Sequence, residues 1–174
     1  MTGSVEMSTA DIHDLIDDVV RSSSRLTRAV AGRTDAELRA PSQREGRTRG
    51  HVLAHVAHSA DAYVWLLCLA RTGAEPGPRG DAAALARAMA ETAALPAVEL
   101  VAEVRGCLER FVAEAREMPA AAWDGMVTAL AGWRHPAWYT LRRCLRELET
   151  HHLDLDVGLL HVGLADHVCL LGTR

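Results

Sequence analysis

Apolar residues recur every three or four positions along most of the chain, which is the pattern of helices that each bury one face. The first stripe of this kind occupies residues 12–30. Ser8 or Thr9 can cap its start, and Gly32 suits its end. A capping box at residues 34–37 then predicts a short second helix. The beginning of the chain is therefore expected to be helical.

Caps and periodicity predict three further helices before residue 118. Thr48 is a good N-cap for a long helix that ends near Gly73, and Asp81 caps a shorter helix that runs to about Thr92. The third helix covers about residues 96–117, with a proline in its first turn. Its predicted buried side consists of Val98, Leu100, Val101, Val104, Leu108 and Val112.

Residues 118–137 contain Gly, Pro and Trp without a helical period, and we expect an irregular connection that packs on the helices through its tryptophans. The last strong helix is predicted over residues 138–157. Its core-facing stripe consists of Leu141, Leu145, Leu148, His152 and Leu155. The tail after Gly158 has no clear pattern. The prediction is an all-α, four-helix bundle with additional short helices, and a single domain over residues 1–174.

Composition narrows the class of protein. The 174 residues are 49% hydrophobic with a net charge of −4, which disfavours a nucleic-acid binder. No membrane-spanning run of uncharged apolar residues and no signal-peptide pattern are found, so we expect a cytoplasmic protein that does not bind membranes. The four cysteines are scattered and are expected to be reduced and largely buried. All 19 basic residues are Arg, which is typical of a GC-rich genome such as that of an actinobacterium.

The last helix carries a carboxylate and an imidazole on one face. Glu147 and His151 are four residues apart, one helical turn, and both can bind a divalent metal. The helix that begins after Thr48 offers further imidazoles at positions 51, 55 and 58. His55 lies in its most apolar part and is the best third ligand. Three protein ligands with an open position are typical of a catalytic zinc site.

Several neighbouring side chains admit two interpretations. Cys144 shares the face of Glu147 and is either a rival ligand or a small buried hydrophobe. Asp154 either accepts a hydrogen bond from His151 or is an ordinary exposed carboxylate. His51 and His58 either support the site or lie at the surface, and Glu149 is expected on the opposite, solvated face.

Two segments together resemble the mycothiol-dependent maleylpyruvate isomerase family of the DinB-like metalloenzyme superfamily. They are residues 50–62 (GHVLAHVAHSADA) and residues 145–155 (LRELETHHLDL). The resemblance covers roughly residues 10–160. It implies a DinB-like four-helix bundle that holds a divalent metal, usually zinc, through His55, Glu147 and His151. Family members often carry a smaller C-terminal domain, and we expect none within these 174 residues.

The resemblance also implies a reaction. Mycothiol, a low-molecular-weight thiol, would bind as a thiolate at the zinc, add to the double bond of an unsaturated keto acid such as maleylpyruvate, and leave after the bond has rotated. Such an acidic substrate needs a cation, and Arg47 and Arg79 are the candidates. Arg47 stands where family members commonly have tryptophan in a Gly-Trp-Thr motif.

Other functions are compatible with the same candidate residues. A mycothiol S-transferase, acting in detoxification or natural-product biosynthesis, would use the same thiolate but consume the thiol. A non-catalytic metal sensor or carrier would bind the ion without thiol-dependent activity, and a purely structural bundle would bind none. The partners are therefore expected to be a small-molecule substrate and a thiol, and the sequence leaves the oligomeric state open.

Overall fold

The computed structural model describes residues 7–155. Four long helices form a closed ring: α1 (Thr9–Val30) contacts α5 (Ala97–Arg116), α5 contacts α3 (Arg49–Thr72), α3 contacts α6 (Tyr139–Asp154), and α6 returns to α1. Two shorter helices, α2 (Asp35–Arg39) and α4 (Ala82–Ala93), pack on α3. The predicted all-α four-helix bundle is confirmed. The end of the last predicted helix, residues 156–157, and the tail lie outside the described residues, and a single domain over residues 1–174 stays a prediction.

The helix boundaries follow the local capping chemistry. Ser8, Thr34 and Thr48 each accept a hydrogen bond from the backbone N–H three residues later, and each forms a reciprocal capping box. Gly73 ends α3 in the left-handed conformation at φ 72°, which glycine adopts without a steric penalty. These local interactions explain why sequence patterns located the ends of the helices closely.

The core lies between the four long helices, and one predicted core residue is wrong. Val98 is 77% exposed, although the sequence pattern predicts it on the buried side of α5. The buried stripe of α5 begins instead at Ala97 and continues through Leu100, Val104 and Phe111. Val98 lies one residue beyond Ala97, about 100° around the helix, and therefore points to solvent.

The connection between α5 and α6 contains a small β-hairpin that the sequence analysis did not predict. Strand β1 (Met126–Thr128) pairs antiparallel with β2 (Arg134–Pro136) after a single 3₁₀ turn at Ala120–Ala122. Trp123 is buried, as expected for a tryptophan that anchors this segment, whereas Trp133 remains 42% exposed. Strands of three residues are too short to produce a recognisable alternation in the sequence.

Within residues 7–155, α3 is the one helix long and apolar enough to cross a membrane by length and composition. Half of its apolar stretch is buried inside the protein, because α3 is the central helix of the bundle. A core helix of a globular protein has this same composition. Cys107 and Cys144 are buried, Cys68 is half-buried, and all three are free thiols.

Candidate metal centre

Helices α3 and α6 bring three potential metal ligands together. His55 comes from α3, and Glu147 and His151 come from successive turns of α6. Glu147 Oε2 lies 3.3 Å from His55 Nε2 and 3.9 Å from His151 Nε2. One ligand atom from each residue lies within 4.8 Å of the others. The packing of α3 on α6 therefore assembles the set of residues named from the sequence.

The partners of the two Glu147 carboxylate oxygens indicate whether a cation fits among these three side chains. Its Oε1 accepts a hydrogen bond from the Tyr63 hydroxyl at 3.0 Å. Its Oε2 is buried and makes no well-aligned hydrogen bond, even though His55 lies close. A buried carboxylate oxygen that lacks a hydrogen-bond partner lowers the stability of the folded protein. A divalent ion held between this oxygen and the two imidazoles would satisfy it, and His₂Glu is an established ligand set for zinc.

The electrostatics keep Glu147 ionised. Burial alone would raise the pKa of its carboxyl group, but the surrounding polar side chains of His55, Ser59 and Tyr63 outweigh burial and lower the pKa to about 2. The pKa of Tyr63 is raised, by burial first and by the Glu147 charge second, so its hydroxyl remains a proton donor. The carboxylate is therefore available to a metal over the whole neutral range.

His151 is oriented by an acidic residue on its own helix. Its Nδ1 lies 2.8 Å from Asp154 Oδ2, which leaves Nε2 directed towards Glu147. Burial lowers the pKa of His151, and this effect outweighs the opposing influence of Asp154. The neutral imidazole is the form that binds a metal. Of the two interpretations of Asp154, the structure favours the hydrogen-bonded one.

Cys144 lies on the same face, but its sulfur does not join the group of ligand atoms that His55, Glu147 and His151 form in the described part of the chain. Burial, followed by the nearby charge of Glu147, raises the pKa of its thiol far above the ordinary range. A thiol binds zinc as the thiolate. Cys144 is 2% exposed and packs within the core, which fits its interpretation as a small hydrophobe.

The two remaining histidines of α3 have other partners. His51 caps α3, with its Nδ1 2.7 Å from Thr48 Oγ1. His58 Nε2 lies 2.9 Å from Thr92 Oγ1 of α4. On α6, Glu149 accepts a hydrogen bond from Ser22 at 2.6 Å and pairs with Arg25 of α1. Its side chain is 51% exposed, as expected for the solvated face, and these contacts also tie it to α1.

Two cavities meet at His55. The first, about 370 Å³, is lined by His55, Tyr63, Trp65 and Arg79 together with Arg143. The Arg79 guanidinium stacks 3.7 Å above the Trp65 ring and donates a hydrogen bond to the Thr128 carbonyl at 2.8 Å. This places one of the two candidate arginines beside the centre.

The second cavity, about 240 Å³, is lined by His51, His55, Arg44 and Arg47. Arg47 is exposed and lines this second cavity, whereas Arg79 lines the first. Cavities of about 420 and 600 Å³ lie beside α1 and α5, but none of the three candidate ligands lines them. Size alone therefore does not identify the site.

A second cluster, Asp61, Glu103 and Cys107, also has metal-ligand chemistry. Arg110 occupies it: its guanidinium lies 3.1 Å from Asp61 and 3.6 Å from Glu103. Burial, with the charge of Asp61 next, raises the pKa of the Cys107 thiol to about 12. The cluster is an ion-pair network with a protonated thiol.

Comparison with known families agrees with this geometry. A family model described as the mycothiol maleylpyruvate isomerase N-terminal domain matches residues 19–156. The chain belongs to this family. Among curated proteins, none matches significantly.

Several solved structures are similar to this isomerase-family domain. The mycothiol-dependent maleylpyruvate isomerase and a histidine-to-alanine variant of it each match with 28% identity and a TM-score of 0.78. The match covers 83% of this chain and 60% of the isomerase, so the chain spans 60% of that protein's length. YfiT from Bacillus subtilis, a four-helix bundle of unusual topology, matches at 16% identity with a TM-score of 0.71 over 89% of both chains, which shows a shared fold.

Two side chains beside the centre of this family domain, Tyr63 and Arg143, were not predicted from the sequence. Tyr63 follows His55 by eight residues, and Arg143 precedes Glu147 by four. Helical periodicity places each on the same side of its helix as the ligand. The spacing was therefore a usable signal, although the contact between Tyr63 and Glu147 depends on how α3 packs against α6.

Proposed function

We propose that this domain is a zinc-dependent, mycothiol-dependent cis–trans isomerase of an unsaturated keto acid similar to maleylpyruvate. The observation that carries the proposal is the unpartnered, buried Glu147 Oε2 facing His55 and His151 beside a 370 Å³ cavity. Membership of the isomerase family supports the choice of thiol and reaction. We expect the protein to act in the cytoplasm, where low-molecular-weight thiols are kept reduced.

His55, Glu147 and His151 would hold the metal, leaving one position open. Zinc bound there would lower the pKa of a thiol and so supply a thiolate at neutral pH. The protein contributes orientation: Asp154 fixes the ring of His151, and Tyr63 holds the second oxygen of Glu147. The ligands are therefore already oriented before the metal binds, which lowers the free-energy cost of binding the ion.

The thiolate sulfur would add to the double-bond carbon that is β to the keto group. The electron pair of the double bond moves to the keto oxygen, giving an enolate with a single bond that can rotate. Collapse of the enolate re-forms the double bond in the trans arrangement and expels the sulfur, so the thiol is regenerated. Arg79, held on Trp65 at the cavity wall, is placed to stabilise the negative charge, and Arg47 is the second candidate.

Metal content of purified protein tests the site. We expect about one zinc per chain in the wild type and its loss in His55→Ala and His151→Ala, because each removes one of three ligands. His58→Ala is the matched control, since His58 is on the same helix and contacts Thr92 instead. Stoichiometric zinc that survives both ligand substitutions would refute the assignment.

Activity is tested with maleylpyruvate and mycothiol. An isomerase converts many equivalents of acid per equivalent of thiol, and the free thiol concentration stays constant. Steady consumption of the thiol would instead identify an S-transferase. Metal binding without either activity would identify a sensor or carrier.

A further inference from the structure

We propose that Arg143 binds a carboxylate group of the acidic substrate and holds it for reaction at the centre. The inference rests on the proposed function and adds a substrate-binding residue to it. Arg143 lies on α6 one turn before Glu147, and its side chain lines the 370 Å³ cavity that His55 also lines. Arg143 thus faces the same cavity as His55, one of the three candidate metal ligands.

Two aromatic side chains hold the guanidinium of Arg143 in place. It lies 5.0 Å from the centre of the Tyr63 ring and 4.8 Å from that of Trp133 on the hairpin. Tyr63 in turn donates its hydroxyl hydrogen bond to Glu147. One aromatic side chain therefore separates Arg143 from the carboxylate of the centre, and a small molecule in the cavity can contact both Arg143 and His55.

His135 of the hairpin adds a neutral partner. Its Nδ1 lies 2.9 Å from the Pro136 carbonyl, which requires the proton on Nδ1, so Nε2 is an acceptor. Arg143 reaches this Nε2 at 3.5 Å. Burial, with a smaller effect of Arg143, lowers the pKa of His135, which keeps the ring uncharged. The hairpin thus positions the arginine without neutralising it.

The charge of Arg143 has no carboxylate partner among residues 7–155. Other arginines of this part of the chain, including Arg25, Arg71 and Arg110, form ion pairs with Asp or Glu. Asp61 also lines the cavity, but its carboxylate pairs with Arg110. Arg143 is half-buried and offers several N–H donors in a planar fork, which suits a carboxylate. An anionic substrate would complete this arrangement.

Binding of phthalate to zinc-loaded protein tests the inference without requiring turnover. Phthalate is a planar cis-dicarboxylate that cannot add a thiolate, and dimethyl phthalate is its uncharged counterpart. We expect Arg143→Met to weaken phthalate binding by about tenfold or more, the cost of losing a hydrogen bond between charged groups. Binding of the dimethyl ester should not change. Arg142→Met is the matched control, because Arg142 is the exposed neighbour on α6.

The outcomes separate this inference from the proposed function. Equal phthalate affinity in wild type and Arg143→Met at equal zinc content, or no phthalate binding by the wild type, overturns the role of Arg143, while zinc content and isomerisation still report on the centre. If the methionine variant does not fold, Arg143→Gln gives the same readout. In turnover, Arg143→Met should raise KM for the acid and leave KM for the thiol unchanged. The reverse pattern would assign the contact to the thiol and refute the inference.

Discussion

Replacing Asp154 by asparagine removes the charge that orients His151 and leaves the side-chain volume almost unchanged. The Nδ1–Oδ2 distance is 2.8 Å, and the two side chains are only 6% and 20% exposed, so solvent screens the interaction weakly. Loss of such a supporting partner typically weakens metal binding 10- to 100-fold, about 1.4–2.7 kcal/mol. The Asp154 carbonyl still accepts the hydrogen bond from Gln43, so the end of α6 should stay in place.

Zinc affinity is measured by competition with a chelating dye, and the pKa of His151 by NMR of the metal-free protein. We expect weaker zinc binding in Asp154→Asn together with a lower pKa of His151, because the carboxylate raises that pKa in the wild type. Glu149→Gln is the matched control: it removes a carboxylate from the same helix, one that contacts Ser22 and Arg25 rather than the centre. Zinc affinity within twofold of wild type in Asp154→Asn, or an equal loss in Glu149→Gln, would show that the reasoning is wrong.

Three further outcomes are expected. Tyr63→Phe should weaken zinc binding by about tenfold, because the Glu147 carboxylate loses a donor at 3.0 Å; unchanged affinity in the same dye competition would contradict this. Phe111→Ala should lower the free energy of unfolding by about 3–5 kcal/mol and Val98→Ala by less than about 0.5 kcal/mol in urea titrations, because Phe111 is fully buried and Val98 is 77% exposed. Metal-free protein should lose stability as the pH falls below 6.5, the ordinary histidine pKa, because burial lowers the folded-state pKa of three histidines and the unfolded chain then binds more protons. These are His135, His151 and His152. A free energy of unfolding that stays constant or rises between pH 7.5 and 5.5 would exclude this linkage.

The hairpin and the orientation of α5 illustrate where sequence patterns were insufficient. Strands β1 and β2 pair with each other over three residues each, and the turn between them contains Gly132 at φ 89°. Neither strand has an alternation long enough to recognise. Val98 and Ala97 differ by one position, and a period of 3.6 leaves the rotation of a helix uncertain by about one residue. Packing against α1 and α3 decided which of the two is buried.

The sequence by itself determined the number of long helices and the ends of α1, α3 and α5, because caps and periodicity act between residues only a few positions apart. It also determined that Glu147 and His151 share a face, since their spacing is one helical turn. Only the tertiary structure decided that His55, 92 positions before Glu147, lies 3.3 Å from it, that Tyr63 holds the other carboxylate oxygen, and that the hairpin supports Arg143. These contacts depend on how α3, α6 and the hairpin pack together, and no local pattern encodes that packing.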